Sequence, residues 1–335
     1  MHESGMSLKK VAEFVELCKL GDSSKADSVD SNALAKRTES NPLFNGIPSV
    51  KLNNGIFMPI LSFGTLKLGS QKETQQYVEQ ALEVGFQLFD TAQSYGNEEG
   101  VGYTLKNTLN RGLKREELFI TAKLFKANAS KEKAQKSYEE SCKKLGIDYA
   151  DLFLIHQPVN DTYAAYRGMI KLYNAKKVRA IGVSNFDNAR LMDFVQNQAI
   201  KPAVNQVECH PYFQQIEAQK FMQELDVQME AWSPLKQARD NILQDKTLLN
   251  IGKKHNKSVA QVILRYIVQR GIVTIVASKK IAHMRENFGI FDFTLSAQDM
   301  AKIAKLDTPT KMLDHNNPAT IKWLNEREIG QSLKR

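Results

Sequence analysis

Eight short apolar runs, separated by segments long enough for a helix, constrain this chain more than any other feature. The runs are Ile60–Thr65, Phe86–Asp90, Leu118–Lys123, Asp151–His156, Arg179–Ser184, Ala203–Glu208, Val227–Trp232 and Ile272–Ala277. Between them, Lys72–Val84, Lys131–Leu145 and Thr162–Ala175 carry apolar residues at helical spacing. Strands joined by helices pair in parallel, and eight such units close a (β/α)8 TIM barrel in about 250 residues or more.

An open, doubly wound α/β sheet is the alternative for this alternation. The number of strands argues against it, and so does the absence of a G-x-G-x-x-G turn after the first strand. We therefore predict a barrel over residues 47–335. We also predict an N-terminal β-hairpin, in which Asn53–Gly55 joins Ser49–Leu52 to Ile56–Pro59, since Asn and Gly accept positive φ.

Residues 1–46 differ from the predicted barrel in composition and in the spacing of apolar residues. Apolar residues recur at helical spacing only near the start, at Leu8, Val11, Phe14, Val15 and Cys18. Residues 22–40 are rich in Ser, Asp, Lys and Ala, which is typical of a mobile linker. A short apolar stretch and several acids fit neither a secretory signal nor a mitochondrial presequence. We predict a mobile N-terminal extension with one short amphipathic helix, dispensable for chemistry.

Composition restricts the class of protein. Of the 335 residues, 42% are hydrophobic, and no stretch is long and apolar enough to span a membrane. The three cysteines are far apart and form no metal-binding pattern, as expected in the reducing cytoplasm. The net charge is +9, but the basic residues are dispersed, which favours a phosphorylated small molecule over nucleic acid as partner.

Polar residues cluster where the predicted strands end, and strand ends line the active site of a barrel. They are Asp90, Lys123, His156, Ser184, Asn185, Gln206, Trp232 and Ser233, with Tyr95 on the loop after Asp90. Each alone has an ordinary structural interpretation as a cap, a packed ring or a surface charge. Together they indicate a site, because a lysine buried beside a carboxylate is costly unless the pair has a function.

The chemistry of this group points to a carbonyl compound. The Lys123 ammonium is expected to lower the pKa of a neighbouring Tyr95, because a positive charge favours the phenolate. A phenol of that kind donates and recovers a proton. His156 is expected to hold the carbonyl oxygen.

Six motifs, in this order, resemble the aldo-keto reductases, which are NAD(P)H-dependent carbonyl reductases. They are Phe89–Glu98, Ile120–Leu124, Leu154–Pro158, Gly182–Phe186, Asn205–Pro211 and Trp232–Leu235, within a resemblance that extends from about Ser49 to Trp323. It implies a catalytic tetrad of Asp90, Tyr95, Lys123 and His156, with Tyr95 as general acid and no metal.

The resemblance also implies NADPH as cofactor, stacked on Trp232, with its carboxamide held by Ser184, Asn185 and Gln206. The other cofactor contacts that it implies are Gly64, Thr65, Asp90, Ser233, Leu235, Ser278, Glu286 and Asn287. The implied partner is a small-molecule carbonyl substrate, and the implied oligomeric state is a monomer.

The cofactor site departs from the family pattern. Ala277 and His283 stand where the family usually has the Lys and Arg that bind the 2′-phosphate of NADPH. NADH is therefore the alternative cofactor, while Lys279, Lys280 and Arg285 are nearby substitutes for the lost charge.

The substrate site departs as well. Leu66 and Gln157, the residue after the catalytic His156, replace two common tryptophans, while Phe125 keeps a common aromatic position of the pocket wall. A wider, more polar pocket is expected, which suits small dicarbonyls, keto sugars or quinones as well as apolar aldehydes.

Two other functions remain open from the residues. One is a cofactor-binding regulatory or interaction protein on the same barrel. The other is an aldolase-type enzyme in which Lys123 forms a Schiff base.

Overall fold

The computed structural model describes residues 38–44, 46–308 and 310–329. The predicted helix around Leu8–Cys18 lies outside these residues. Eight parallel strands form a closed barrel, as predicted, in the order β4 to β11 with β11 pairing back to β4. They are β4 (Leu61–Gly64), β5 (Leu88–Asp90), β6 (Phe119–Leu124), β7 (Ala150–Ile155), β8 (Val178–Ser184), β9 (Val204–Glu208), β10 (Gln228–Trp232) and β11 (Val273–Val276).

Helices follow the barrel strands and cover their outer faces. They are α1 (Gln71–Val84), α2 (Glu98–Asn110), α3 (Lys131–Leu145), α4 (Thr162–Asn174), α5 (Asn188–Gln196), α6 (Ile216–Glu224), α7 (Lys246–His255), α8 (Val259–Gln269), α9 (Ile281–Phe288), α10 (Ala297–Ala304) and α11 (Pro318–Glu326). Local sequence fixes their ends: Ser70 and Glu73 form a capping box at the start of α1. Gly85 ends α1 at φ 116°, a conformation that favours glycine. Within the described residues, no helix is long and apolar enough to cross a membrane.

The register of the strands brings polar side chains from different strands to one level. Asp90 pairs with Gly64 on one side and with Thr121 on the other. Across the barrel, Gln206 pairs with Ser184 and with Glu230. Side chains alternate along a strand, so residues two apart, such as Glu230 and Trp232, share the inner face.

An antiparallel sheet of three strands precedes the barrel: β1 (Thr38–Ser40), β2 (Pro48–Lys51) and β3 (Phe57–Pro59). The β2–β3 pair is the predicted hairpin. Its turn contacts the amino-terminal ends of three barrel strands, where Asn53 donates to the carbonyls of Pro202 and Asp226. Asn54 donates to the carbonyl of Arg179.

Strand β1 lies in the segment interpreted above as linker. It pairs with β2 through its backbone, from Thr38 opposite Val50 to Ser40 opposite Pro48. A three-residue strand is too short to show hydrophobic periodicity, so no sequence pattern predicted it.

Candidate active site

The centre of the site is an ion pair between two adjacent strands. Asp90 ends β5, and its carboxylate accepts a hydrogen bond from the Lys123 ammonium of β6. The Lys123 side chain is 0% exposed and that of Asp90 is 3% exposed. Burial lowers the pKa of Lys123, but the Asp90 carboxylate and the Tyr95 hydroxyl together raise it above its usual value. Lys123 is therefore a cation at neutral pH.

Tyr95 sits on a tight turn directly after β5. The turn Gln93–Tyr95 is one 3-10 turn, which Gly96 ends at φ 70°. The side chain of Gln93 anchors it by donating to the carbonyl of Ser137 and accepting from the backbone N–H of Phe125. Lys123 Nζ then lies 3.0 Å from the Tyr95 hydroxyl oxygen. The predicted neighbours are thus within hydrogen-bond distance.

The pKa of Tyr95 differs from the sequence expectation of a lowered value. Burial raises the pKa and outweighs the Lys123 charge, which lowers it. The Asp90 carboxylate opposes Lys123 as well. The expectation was wrong in its net direction because it counted the ammonium and omitted desolvation. Tyr95 is therefore protonated at neutral pH.

His156 follows β7 and faces Tyr95, with the two rings perpendicular and their centroids 5.5 Å apart. The Ser94 hydroxyl oxygen lies 3.2 Å from His156 Nδ1. Burial lowers the pKa of His156 well below its usual value, and the charges of Lys123 and Arg327 lower it further. The imidazole is therefore neutral at physiological pH.

A second buried carboxylate, Glu230, lies next to the ion pair. One amide nitrogen, Gln206 Nε2, donates to Asp90 Oδ2 at 2.9 Å and to Glu230 Oε2 at 2.8 Å. Burial and the Asp90 charge raise the pKa of Glu230 to about 8. Glu230 is 0% exposed. A neutral Glu230 leaves one cation, Lys123, opposite one carboxylate, Asp90.

Three residues predicted to hold the cofactor form a hydrogen-bonded row. The Ser184 hydroxyl donates to the Gln206 carbonyl, and Asn185 Nδ2 donates to the Ser184 hydroxyl and to the His156 carbonyl. Asn185 Oδ1 accepts from Trp232 Nε1 at 2.8 Å. The backbone of Asn185 is left-handed at φ 66°, which asparagine tolerates. This row fixes the edge of the Trp232 ring.

Most of the predicted residues surround one cavity of about 370 Å³, hereafter the tetrad cavity. It is lined by Gly64, Leu66, Asp90, Tyr95, His156, Gln157, Ser184, Asn185, Gln206, Trp232, Ser233 and Leu235. Thr65, Lys123 and Phe125 do not line it. Thr65 is buried and donates to the Asp90 carbonyl, so it supports β5. The Phe125 ring contacts Lys126 instead, whose Nζ lies 5.6 Å from the ring centre.

A second cavity, of about 680 Å³, contains the predicted distal contacts Ser278, Glu286 and Asn287. Leu235 and Ala277 line both cavities. Its basic residues are Lys253, Lys257 and His283, whereas Lys279, Lys280 and Arg285 do not line it. Lys257 is paired with Asp292 at 2.6 Å. Lys253 also lines this cavity, and the sequence analysis did not identify it as a cofactor contact.

Sequence reasoning missed Glu230, Lys253 and Arg327. Glu230 carried a signal, because it lies two residues before Trp232 in a strand and so faces inward. Lys253 lies in the last turn of helix α7 and Arg327 follows α11, so their positions depend on how those helices pack. No local pattern identifies them.

Comparison with known proteins gives a consistent set of relatives. Residues 60–308 match the Aldo/keto reductase family. The chain is 45% identical over 260 residues to a glyoxal reductase of Bacillus subtilis (strain 168), covering 77% of this chain and 92% of that protein. It is 38% identical over 261 residues to the methylglyoxal reductase DkgA of Escherichia coli (strain K12), covering 77% and 93%.

Solved structures agree. The chain is similar to a Bombyx mori aldo-keto reductase (AKR2E4) in complex with NADP, with a TM-score of 0.77 and 31% identity over 84% of this chain and 98% of that chain. It is also similar to an aldo/keto reductase from Brucella melitensis, with a TM-score of 0.74 and 42% identity over 78% and 100% of the two chains.

Proposed function

Since the chain belongs to the aldo/keto reductase family, we propose that it reduces the carbonyl group of small aldehydes or ketones to an alcohol with NADPH. The observation that carries the proposal is the buried ammonium of Lys123, which contacts both the Asp90 carboxylate and the Tyr95 hydroxyl. The Tyr95 hydroxyl borders the tetrad cavity together with His156.

Tyr95 acts as the general acid in this proposal. Its raised pKa keeps the phenol protonated, which is the form that can donate to a carbonyl oxygen as negative charge develops there. Lys123, 3.0 Å away and cationic at neutral pH, stabilises the phenolate that remains. Neutral His156 orients the carbonyl oxygen toward Tyr95.

The two cavities suit a dinucleotide. They meet at Leu235 and Ala277, so an elongated molecule reaches from Trp232 to the distal residues Glu286 and Asn287. Bound there, a reduced nicotinamide supplies the hydride that carbonyl reduction requires. Asp90 and Glu230 occupy both hydrogens of the Gln206 amide, which leaves its oxygen as an acceptor for a carboxamide.

Lys253 supports NADPH over NADH. It lines the distal cavity that also contains Ser278, although Ala277 and His283 replace the usual lysine and arginine. An ammonium beside a 2′-phosphate forms a charge-assisted hydrogen bond worth roughly 1.5–3 kcal/mol. The preference for NADPH thus depends on a lysine of α7.

Small dicarbonyls are the favoured substrate class. Leu66 and Gln157 line the tetrad cavity in place of larger rings, and Phe125 does not reach it. Gln157 accepts a hydrogen bond from His315 at 2.8 Å, which holds its amide as a polar part of the cavity wall. The relatives named glyoxal and methylglyoxal reductase agree with this class.

Nothing in the described residues favours the other two functions. Lys123 is fully buried and held as a cation, and a Schiff base needs an accessible neutral amine. A monomeric, cytoplasmic enzyme with residues 1–46 as a separate extension stays a prediction from the sequence.

Tyr95→Phe tests the proposal because it removes one hydroxyl and keeps the ring. Carbonyl reduction should fall by roughly 10²–10⁴-fold, the usual contribution of a general acid. Binding of NADPH, followed by the quenching of tryptophan fluorescence, should change little. Tyr103→Phe is the matched control, since Tyr103 is 57% exposed on α2. Full turnover by Tyr95→Phe would contradict the assignment.

A further inference from the structure

The side-chain amide of Gln157 is held from two sides. Gln157 directly follows His156, and both residues line the tetrad cavity. The Gln157 Oε1 atom lies 2.8 Å from His315 Nε2 and 3.4 Å from Asn185 Nδ2. Two neighbours from different segments of the chain therefore face the same end of this amide.

The partners of Asn185 determine which end of the Gln157 amide is the oxygen. An indole N–H can only donate, so the Asn185 atom that lies 2.8 Å from Trp232 Nε1 is the oxygen. The His156 carbonyl can only accept, and it receives a hydrogen bond from Asn185 Nδ2 at 3.1 Å. Asn185 Nδ2 therefore faces Gln157 as a donor, and the Gln157 atom nearest to it is the acceptor oxygen.

His315 supplies the second donor to this oxygen. Burial and the nearby Lys311 charge lower the pKa of His315 to about 4, so the imidazole is neutral at physiological pH. A neutral imidazole carries one N–H, and its place at Nε2 follows from the acceptor that Nε2 faces. His315 thus donates to Gln157 Oε1.

The loop that carries His315 is anchored to the barrel. The carboxylate of Glu208, which ends β9, accepts hydrogen bonds from the backbone N–H groups of Met312 at 2.7 Å and of Leu313 at 3.2 Å. Glu208 is 4% exposed, and it also pairs with His210 at 3.0 Å. The position of His315, two residues after Leu313, therefore follows from contacts with a buried strand residue.

The nitrogen end of the Gln157 amide is available to a ligand. Gln157 Nε2 carries two N–H groups, and neither has a hydrogen-bond partner among the residues that the structure describes. The amide belongs to the wall of the tetrad cavity and lies next to His156, the residue proposed to orient the reacting carbonyl. Donors at this place suit a second oxygen of the same substrate.

We propose that His315 is a positioning residue, which holds Gln157 so that its amide N–H groups bind the second oxygen of a 1,2-dicarbonyl substrate. The inference rests on the reductase function proposed above and adds the residue pair that recognises the dicarbonyl class. The two carbonyl carbons of such a compound are bonded to each other, so one oxygen lies at Gln157 when the other lies at Tyr95. Without the donor from His315, only the longer contact with Asn185 holds the amide, which can then turn its oxygen toward the substrate.

Two matched substrate pairs measure the recognition of the second oxygen. Methylglyoxal and propanal have the same carbon chain, as do 2,3-butanedione and butanone, and the members of each pair differ by one carbonyl oxygen. The dicarbonyl ratio is kcat/KM for the dicarbonyl divided by kcat/KM for the monocarbonyl. The members also differ in intrinsic reactivity, but this difference cancels when the ratio of a variant is divided by that of the wild type.

His315→Phe keeps a ring and removes the donor. It should lower the dicarbonyl ratio by roughly 3- to 10-fold, the usual contribution of a hydrogen bond between uncharged groups. His315→Gln should restore most of the ratio, because the new amide again places an N–H opposite Gln157. His255→Phe is the matched control, since His255 makes a hydrogen bond of 2.9 Å to Asp299 and lines neither the tetrad cavity nor the distal cavity. It should leave the ratio unchanged.

Gln157→Met tests the same contact without a change in the loop. Methionine has a similar length and no N–H group, so the dicarbonyl ratio should fall by a similar factor. In the Gln157→Met background, His315→Phe should lower the ratio no further, because His315 acts on the substrate through Gln157.

The contrary outcomes are distinct. An unchanged ratio in Gln157→Met or in His315→Phe would overturn the inference. Equal losses in His315→Phe and His315→Gln, or a further loss from His315→Phe in the double variant, would overturn the positioning role, since the hydrogen bond to Gln157 would not account for the effect. Wild-type protein that binds NADPH and reduces no member of either pair would overturn the proposed function itself.

Discussion

Two groups of charged residues in this molecule differ in their burial and in their partners. The interior cluster consists of Asp90, Lys123, Gln206 and Glu230, all buried and connected by hydrogen bonds. The cavity cations, Lys67, Lys253 and Arg327, come from a loop and from helix ends and line the tetrad cavity or the distal cavity. The first group is buried and paired internally, whereas the second borders space that a ligand can enter.

The difference follows from solvation. An unpaired charge in the barrel interior costs several kcal/mol, so the strands place partners around Lys123. Water screens a charge that borders an open cavity, so such a charge costs little stability. The interior thus fixes the geometry around Tyr95, whereas the cavity cations border the space open to a ligand.

Lys123→Met should have the largest effect, because it removes the cation of the interior cluster. It leaves the buried Asp90 carboxylate without its cation, which should lower the free energy of unfolding by about 3–5 kcal/mol. Reduction should fall by at least about 10²-fold, because Tyr95 loses its stabilising charge. Urea denaturation and steady-state kinetics measure the two effects.

A surface ion pair provides the control for this variant. Lys177 lies 2.7 Å from Glu139 with both side chains more than half exposed, at 52% and 58%. Lys177→Met should cost less than about 1 kcal/mol. Equal losses in the two variants would contradict the contrast between interior and surface charges.

Glu230→Gln should change the pH dependence of the free energy of unfolding. The pKa of Glu230 is about 8 in the folded chain against 4.5 for the free group. Between these values the unfolded chain has lost the proton that the folded chain keeps, so the wild-type free energy of unfolding falls as pH rises. Glutamine cannot ionise, so the variant should gain a few kcal/mol relative to wild type between pH 5 and pH 8.

Urea denaturation at pH 5, 6.5 and 8 measures this gain. Glu224→Gln, at an exposed position of α6, is the control and should track wild type across the range. Parallel curves for wild type and Glu230→Gln would show that Glu230 ionises normally in the folded chain.

Lys253→Gln should have the smallest effect, which should be limited to the affinity for NADPH. NADPH affinity should fall by roughly tenfold with the loss of one phosphate contact, and NADH affinity should stay the same. Lys246→Gln, an exposed position at the start of α7, is the control. Equal weakening for both nucleotides would remove Lys253 from 2′-phosphate recognition.

Sequence reasoning located polar residues correctly where they lie at the ends of strands that the apolar pattern predicts. Asp90, Lys123, Gln206 and Trp232 lie at or near the ends of apolar strands, and the barrel brings strand ends together. The same reasoning would have found Glu230 if strand alternation had been followed one step back from Trp232.

It failed where the answer depends on burial or on distant segments. The pKa of Tyr95 is raised by desolvation, a property of the packed molecule that the spacing of residues does not reveal. Arg327, which follows α11, lines the tetrad cavity, whereas Phe125 is not among the residues that line it. These properties depend on contacts between segments that are distant in the sequence.

The hairpin contacts of Asn53 and Asn54 have a consequence for exchange with solvent. They tie the β2–β3 turn across the amino-terminal ends of β8, β9 and β10, opposite the catalytic mouth. Tyr95 lines the tetrad cavity at the other end of the barrel, so we expect its hydroxyl proton to exchange with bulk water through that cavity. A ligand that fills the cavity should slow this exchange.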